Sequence, residues 1–585
     1  MFGLNKLYLL MEKQHNRGQD GAGVAAVKTN TEPGYPFMHR MRSIATQSIA
    51  DIFFEIGKEI NEIEKNQPDI KQHPGLMKGH INFLGEILLG HLRYGTQGKN
   101  NVQFCHPFMK QNTVPARNLV VAGNFNLVNK DELFASINCK PAELERQSDL
   151  GAMMEVIHHN LVKADEENPN APNIAQVLKN SMSLFDGGYT FSGITGNGNG
   201  FVARDAHGIR PAYYYITDEV IVAASERAAI RTAFNVAENE VKELMPGTAL
   251  ITSADNTYRI EQILPAKERK ACSFERIYFS RGSDEKIYRE RLALGYHLSE
   301  AVLNAVDHDL KNTIFSFIPN TAETAFYGLI KGAEDYLNKI KVERIQSWNK
   351  EFDEAKLAAM INRKVRIEKI AIKDVKLRTF ITEDASRNEM VQHVYDITYG
   401  TVNKGIDTLI VIDDSIVRGT TLRESIIRML ARLEPKKIIV VSSAPQIRYP
   451  DCYGIDMSKL GDFVAFRAAM ELIKEQGMDN LLINLLHECK ELEKKGQLHT
   501  QNLVRQVYKP FSIEELTDKI AQLVTPEKID IPVQVIYQTI ENLHDSCPTN
   551  LGDWYFTGNY PTPGGNRVVN KAFMNYMEGK DVRGY

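Results

Sequence analysis

Cysteine is sparse in this sequence, and its six copies, Cys105, Cys139, Cys272, Cys452, Cys489 and Cys547, include no CxxC pair. That spacing argues against a disulfide frame or a zinc site and suits reduced, mostly buried thiols. Long apolar runs are missing too: no stretch approaches the roughly 18 uninterrupted residues that a membrane helix needs. The opening MFGLNKLYLLMEKQHN is broken by Lys6 and leads to no small-residue cleavage site, so no secretory signal is expected and a cytoplasmic chain is. Charge of one sign is lacking, with 70 Lys and Arg against 74 Asp and Glu and a net charge of -4. Neither nucleic acid nor an anionic membrane is therefore expected as a partner. Internal repeats and low-complexity tracts are absent, and the absence of GxxxxGK[ST] argues against an ordinary nucleotide triphosphatase.

What remains is the composition of a soluble globular protein, 43% hydrophobic and 25% charged over 585 residues, long enough for about two to four units. The texture changes near residue 270. Before it, short β-rich runs such as NLVVAGNFNLVN (118–129) and GFVARDAHGIRPAYYYITDEVIVAAS are separated by turn signals at 205–208 and 217–218, which read as hairpins. GITGNGNG sits between strands and reads as a hairpin turn, not a dinucleotide loop. A charged helical insert at about 45–80 carries Phe53, Ile56, Ile60 and Ile63 at helical spacing before Pro68 closes it. After about 275 the pattern becomes strand, helix, strand. TIFSFIP (313–319), TLIVIDD (408–414) and KIIVVSSAP (437–445) are apolar enough to be buried on both faces, as parallel strands are. Leu422, Ile426, Met429, Leu430 and Leu433 form one helical stripe between the last two, which completes a βαβ crossover. The tail from about 463 reads as mainly helical, with a capping-box signature at Ser512 and Glu515. The expected division is 1–270, 271–465 and 466–585.

Residues 409–421, LIVIDDSIVRGTT, raise the chemical question. Asp413 and Asp414 stand at the carboxyl end of a buried strand, where open α/β sheets bind ligands. Two such charges repel, and in a dry site each raises the cost of ionising the other, so a cationic or hydroxyl-rich ligand is expected there. The loop's N–H groups and the hydroxyls of Ser415, Thr420 and Thr421 converge on a helix N-terminus, which favours phosphate. Acceptors for a diol and donors for a phosphate thus lie about a sugar's width apart.

This stretch resembles the signature of type I phosphoribosyltransferases. The first half supplies a second resemblance: QHNRGQDGAGVA, GHLRYGT, VARDAHGIRP, AASE and CSFERIYFSR, followed by IPNTAETAF, LRTFI, VIDDSIVRGTT and APQIRYPDCYGIDM, occur in the order seen in the amidophosphoribosyltransferase family. The resemblance covers nearly the whole chain. It implies an α/β and α+β architecture: an N-terminal-nucleophile glutaminase of αββα layering, a type I phosphoribosyltransferase parallel-sheet domain and a helical C-terminal region. It implies ammonia transfer to phosphoribosyl pyrophosphate, giving phosphoribosylamine for purine synthesis. By motif, Arg93 and Thr96 would hold the glutamine carboxylate, Asp149 its ammonium, and Asn124 with the N–H of Phe125 the oxyanion, while Tyr94 would line the ammonia passage. Asp413 and Asp414 would take the ribose hydroxyls, Ser415, Arg418, Gly419, Thr420 and Thr421 the phosphate, and Arg378, with Arg387 a further candidate, the pyrophosphate. Magnesium would be held by Thr321, Asp413 and Asp414. A homo-oligomer and purine nucleotide feedback inhibitors are also implied.

The departures shape the expectation. The family's glutaminase attacks with a cysteine at its mature N-terminus; here the first cysteine is Cys105, and an internal cysteine has no free amine to act as base. The family's first strand precedes the helix that begins here at about Phe2 and is missing. Either the start of the reading frame lies upstream, the favoured reading, or the chain cannot use glutamine; as it stands it is expected to work only from ammonia. A non-catalytic phosphoribosyl pyrophosphate-binding regulator is the rival reading, and a nucleobase-accepting transferase is opposed by the whole first half. Asn16 interrupts the usual QHRGQ, GNF stands where most members have HNG, and the run after RTFI is poor in base. Some members hold an iron–sulfur cluster on four cysteines, and only Cys272 occupies such a position, so no cluster is expected.

Overall fold

The computed structural model describes residues 1–32, 34–95, 101–139, 148–347, 353–373, 395–455 and 457–584. Two antiparallel three-stranded sheets form one layer of the first half. One has the order β2–β1–β3, with β1 at Gly21–Val27, β2 at Met38–Ser43 and β3 at Ile87–Arg93. The other has the order β10–β8–β9, with β8 at Tyr213–Ile216, β9 at Ile221–Ala224 and β10 at Lys242–Glu243. Beneath them lies a six-stranded sheet in the order β12–β11–β7–β6–β5–β4. Its strands are β4 (Phe108–Lys110), β5 (Leu119–Leu127), β6 (Gly187–Thr195), β7 (Gly200–Arg204), β11 (Thr248–Thr252) and β12 (Tyr258–Gln262).

Side-chain alternation explains the layering. From β1, Ala22, Val24 and Ala26 pack under the helices α1 (Phe2–Glu12) and α2 (Ser48–Asn66), with Leu4, Ile52, Ile56 and Ile60. Ala25 and Val27 point the other way, onto Val120 and Ile194 of the larger sheet. The outer face of that sheet is covered by the helices Asp149–Glu167 and Ile174–Met182. The result is helices, sheet, sheet, helices, as the resemblance implied. Asp205–Gly208 is a turn, closed by Gly208 N–H to Asp205 O, but it is not a hairpin. It carries the chain from β7 to β8 in the opposite sheet, because the buried Asp205 carboxylate accepts from the N–H groups of Tyr189, His207 and Ile209 and holds the chain in that bend. The turn at 217–218 does join β8 to β9 as a hairpin, and GITGNGNG joins β6 to β7.

The second half is a parallel sheet in the order β14–β13–β17–β18–β19. Its members are β13 (Thr313–Phe317), β14 (Arg366–Ile367), β17 (Thr408–Asp413), β18 (Lys437–Ser442) and β19 (Val533–Tyr537), and a two-stranded pair, β15 (Ala371–Lys373) and β16 (Tyr395–Ile397), lies beside it. Leu409, Val411, Ile438 and Val440 face Ile426, Leu430 and Ala468, while Ile410, Ile412, Ile439 and Val441 face Phe326 and Leu329 on the other side. The sheet is buried on both faces, which is why its strands read as unbroken apolar runs. The tail is not wholly helical, since VQVIY at 533–537 adds the edge strand β19. The Ser512–Glu515 capping box is present, with Glu515 N–H donating to Ser512 Oγ at 3.1 Å and Ser512 N–H to Glu515 Oε2 at 2.8 Å. C-terminal residues Trp554 and Tyr555 share a core with Val128 and Ile209 of the first half.

Candidate active site and an adjoining cavity

Asp413 ends β17, and Asp414 opens the loop that leads to the next helix. Asp414 N–H donates to Asp413 Oδ1 at 2.9 Å, and Ser415 Oγ donates to Asp414 Oδ1 at 3.0 Å. Burial, followed by the charge of the neighbouring Asp414, raises the Asp413 carboxyl well above the usual carboxylate range. Asp414 is raised by burial as well, partly offset by Ser415, Arg291 and the hydroxyl of Thr321. The site is therefore short of positive charge or donors at two adjacent carboxyls.

Beyond them Ile416 is buried and anchors the loop, whereas Arg418, Thr420 and Thr421 are exposed at the start of the helix. Gly419 has φ +71°, and a Cβ there would lie 2.9 Å from Val524 Cγ1, so only glycine suits the bend. Arg418 pairs with Asp462 at 3.2 Å and its carbonyl accepts from Arg467. The structure thus gathers Thr321, Asp413, Asp414 and Ser415 at the strand end, with residues 418–421 leading from it into the helix. Arg378, with Arg387, lies outside the described residues.

The second feature is a cavity of about 440 Å³, walled mainly by the first half and closed on one side by Gly454, Ile455 and Arg583. Arg93, Tyr94, Asn124, Phe125 and Asp149 all line it; Thr96 falls outside the described residues. Arg93 ends β3 and is buried. Asn124 and Phe125 come from β5, and Asp149 is the first residue of its helix, where Ser148 caps by accepting from Gly151 N–H at 3.1 Å. Asp149 accepts from Leu150 N–H at 2.9 Å, yet burial pushes its carboxyl up to about 6. A guanidinium and a carboxylate on the same cavity wall match a zwitterionic ligand. Cys105 is fully buried beside Ser43, burial raises its thiol, and among the described residues no cysteine lines the cavity.

His91 and His106 also line this cavity, with ring centroids 4.1 Å apart. Burial is the first cause that lowers both, so both are neutral at physiological pH. Neither stands in a recognisable ligand spacing, so the sequence alone does not single them out. Tyr278, within CSFERIYFSR, carries no sequence signal of its own either. That phenol is raised by burial, then by Asp414 and Tyr94, which puts it within electrostatic reach of both sites. Tyr94 donates to Asn16 O at 2.7 Å, and Asn16, the residue that interrupts QHRGQ, donates to Glu226 Oε1 and Phe279 O at 2.8 Å each. The extra residue therefore ties the N-terminal turn to the segment that carries Tyr278.

No helix among the described residues is long and apolar enough to cross a membrane. A family profile described as a glutamine amidotransferase domain matches residues 106–232. Amidophosphoribosyltransferase from Bacillus subtilis is 27% identical over 484 residues, 81% of this chain and 83% of the relative. Its namesake from Pseudomonas aeruginosa is 26% identical over 404 residues, 66% of this chain and 72% of the relative. Among solved structures, glutamine phosphoribosylpyrophosphate amidotransferase from B. subtilis, complexed with ADP and GMP, aligns with a TM-score of 0.62 at 22% identity, covering 95% of this chain and 94% of that one. A structure of the allosteric regulatory enzyme of purine biosynthesis aligns at 0.63 and 21%, over 95% and 93%. Through most of its length the chain is thus similar to amidophosphoribosyltransferases, and its fold, an amidotransferase sandwich beside a parallel-sheet domain, is that of their solved structures.

Proposed function

We propose that this protein transfers ammonia to phosphoribosyl pyrophosphate and releases 5-phosphoribosylamine and pyrophosphate, the opening step of purine synthesis. The observation that carries the reading is the half-buried Asp413–Asp414 pair, ionised only at a cost, beside a solvent-open loop that enters a helix N-terminus. A ribose diol donates to such carboxylates, and the backbone of residues 415–421 offers donors to the 5-phosphate. The nitrogen lone pair forms the C1–N bond while the C1–O bond to pyrophosphate breaks. Pyrophosphate leaves with the electron pair, and the new ammonium loses a proton to solvent or to the departing group.

The donor set fits a hard divalent cation, because two carboxyls destabilised by burial and by each other stand next to the Thr321 hydroxyl. Asp413, Asp414 and Thr321 would hold magnesium, directly or through its waters, and the ion would neutralise charge on the leaving pyrophosphate. In the cavity, Arg93 and Asp149 suit the two ends of glutamine and Asn124 with Phe125 N–H its oxyanion, with Thr96 in the same motif as Arg93. For residues 1–585 free ammonia is the donor, since use of glutamine needs a thiol nucleophile that the described cavity wall does not supply. Tyr94 lines the cavity, and Tyr278 interacts electrostatically with both Tyr94 and Asp414, so the two suit a path for ammonia. The relative solved with ADP and GMP supports purine nucleotides as regulators, and we propose a homo-oligomer.

The test measures pyrophosphate release with phosphoribosyl pyrophosphate, magnesium and either ammonia or glutamine. Turnover with ammonia, loss of it on chelation and little with glutamine are expected. Saturable sugar binding without any pyrophosphate release would replace the enzyme by a sensor.

A further inference from the structure

The ribbon β15–β16 brings two further side chains to the acid pair. It is fixed to the carboxyl end of β13, where Glu368 N–H donates to Phe315 O and Ile370 N–H to Ser316 Oγ, both at 3.1 Å. Its register sets Ala371 opposite Ile397 and Lys373 opposite Tyr395. Thr398 N–H donates to Ile370 O, so residues 370 and 398, and then 372 and 396, are the hydrogen-bonded pairs. The alternation of an antiparallel ladder makes Lys373 and Tyr395 a pair of the other kind, in which side chains approach most closely.

The same alternation decides which way they face. Ile372 and Asp396 are exposed on the outer side of the ribbon. On the inner side Ala371 belongs to the core cluster that holds Ile416, and Ile397 and Tyr395 pack against that cluster. Tyr395 therefore rests its ring on the core beneath the sugar loop. Its phenol is raised by burial, then by Asp413 and Asp414, so it keeps its proton and lies within electrostatic reach of both acids. Lys373, exposed at the rim, acts on Asp413 as well. The Tyr395 hydroxyl makes no hydrogen bond among the described residues. A cation in its place would pair with the acids and fill the site, whereas a neutral donor leaves them to a ligand.

The two sides of β17 are unlike. Gly419 lies against Val464 and Val524, and the helix that ends at Val524 packs on β19. The loop offered to the 5-phosphate is thus on the β18 and β19 side. The ribbon and Thr321 come from β13, on the opposite side.

We propose that Tyr395 contacts the ligand directly, its hydroxyl donating to the pyrophosphate of phosphoribosyl pyrophosphate. It is then the residue that tells the pyrophosphate-bearing sugar from the bare sugar phosphate. The inference rests on the sugar-site reading above and adds a specificity-determining contact to it.

Tyr395→Phe removes one oxygen and keeps the ring on the core, so its melting temperature should match the parent's. Calorimetry reads the affinity of both proteins, with magnesium present, for phosphoribosyl pyrophosphate and for ribose 5-phosphate, which shares the diol and the 5-phosphate. The variant should lose about tenfold or more for the first, the range of a hydrogen bond to a charged acceptor, and nothing for the second. Unchanged affinity for phosphoribosyl pyrophosphate, or an equal loss for ribose 5-phosphate, would overturn the role of Tyr395 and leave the sugar site standing. A parent that binds neither ligand refutes the sugar site itself, and the role of Tyr395 falls with it.

Discussion

Asp413 and Asp414 pay for their position in ionisation energy, and a ligand that donates to them or neutralises them recovers it. Asp413→Asn or Asp414→Asn removes an acceptor of charge-assisted bonds, each worth about 1.5–3 kcal/mol. Ammonia-dependent pyrophosphate release should fall by about tenfold to a hundredfold in either variant, as a coupled assay would read. Asp149 makes a different prediction. Its carboxyl ordinarily titrates near 3.8 and is pushed up to about 6 by burial, so between those values the native state keeps a proton that the unfolded chain has released. Its contribution to stability is present below the lower value and is lost as pH rises through the upper one. Asp149→Asn should therefore melt at a higher temperature than the parent at pH 7, with a smaller gain at pH 5; an equal gain at both would contradict the shift. These residues were legible because each sits in a contiguous motif. Tyr278, His91 and His106 were not, because their meaning comes from what lies across the fold: Tyr278 from the Asp pair and Tyr94, the two histidines from each other.

At the scale of elements, the strands at 313–317, 408–413 and 437–442 were readable because burial on both faces leaves no polar position to break the run. β19 was harder, since VQVIY is short, carries a polar residue and follows a helical stretch. The helices Glu285–His297 and Glu323–Gln346 show a further constraint. A Cβ at Gly295 would stand 1.7 Å from Ala325 O, and one at Gly328 would stand 1.9 Å from Leu292 O. Both obstacles are backbone, so the helices would have to separate. Alanine gains about 1 kcal/mol in helix propensity, but overpacking of this kind costs about 1–3 kcal/mol. Gly295→Ala and Gly328→Ala should each lower the urea midpoint despite that gain. Either variant proving more stable than the parent would mean the helix pair can shift apart.

Across the whole molecule, one buried ionic chain ties distant segments together. Arg17 pairs with Glu226 at 2.7 Å and with Glu275 at 2.8 Å; Arg210 reaches Glu275 at 3.4 Å and Asp451 at 3.7 Å. Asp451 in turn accepts from Trp554 Nε1 at 2.9 Å. The N-terminal turn, the exit of β9, the π-helical turn Glu275–Phe279 and the C-terminal region thus share one set of charges. Every member except Arg17 is less than a tenth exposed, so screening by salt is weak. Glu275 is the shared partner of both arginines, and Glu275→Gln leaves two buried guanidiniums without their common anion. Removing one partner of a buried pair costs about 3–5 kcal/mol. Scanning calorimetry should show a lower transition temperature for Glu275→Gln, and the drop should persist at high salt. Because Tyr278 rides on the same turn, the variant should also bind phosphoribosyl pyrophosphate more weakly than the parent. A variant that melts with the parent at every salt concentration would mean that the chain of charges holds nothing together.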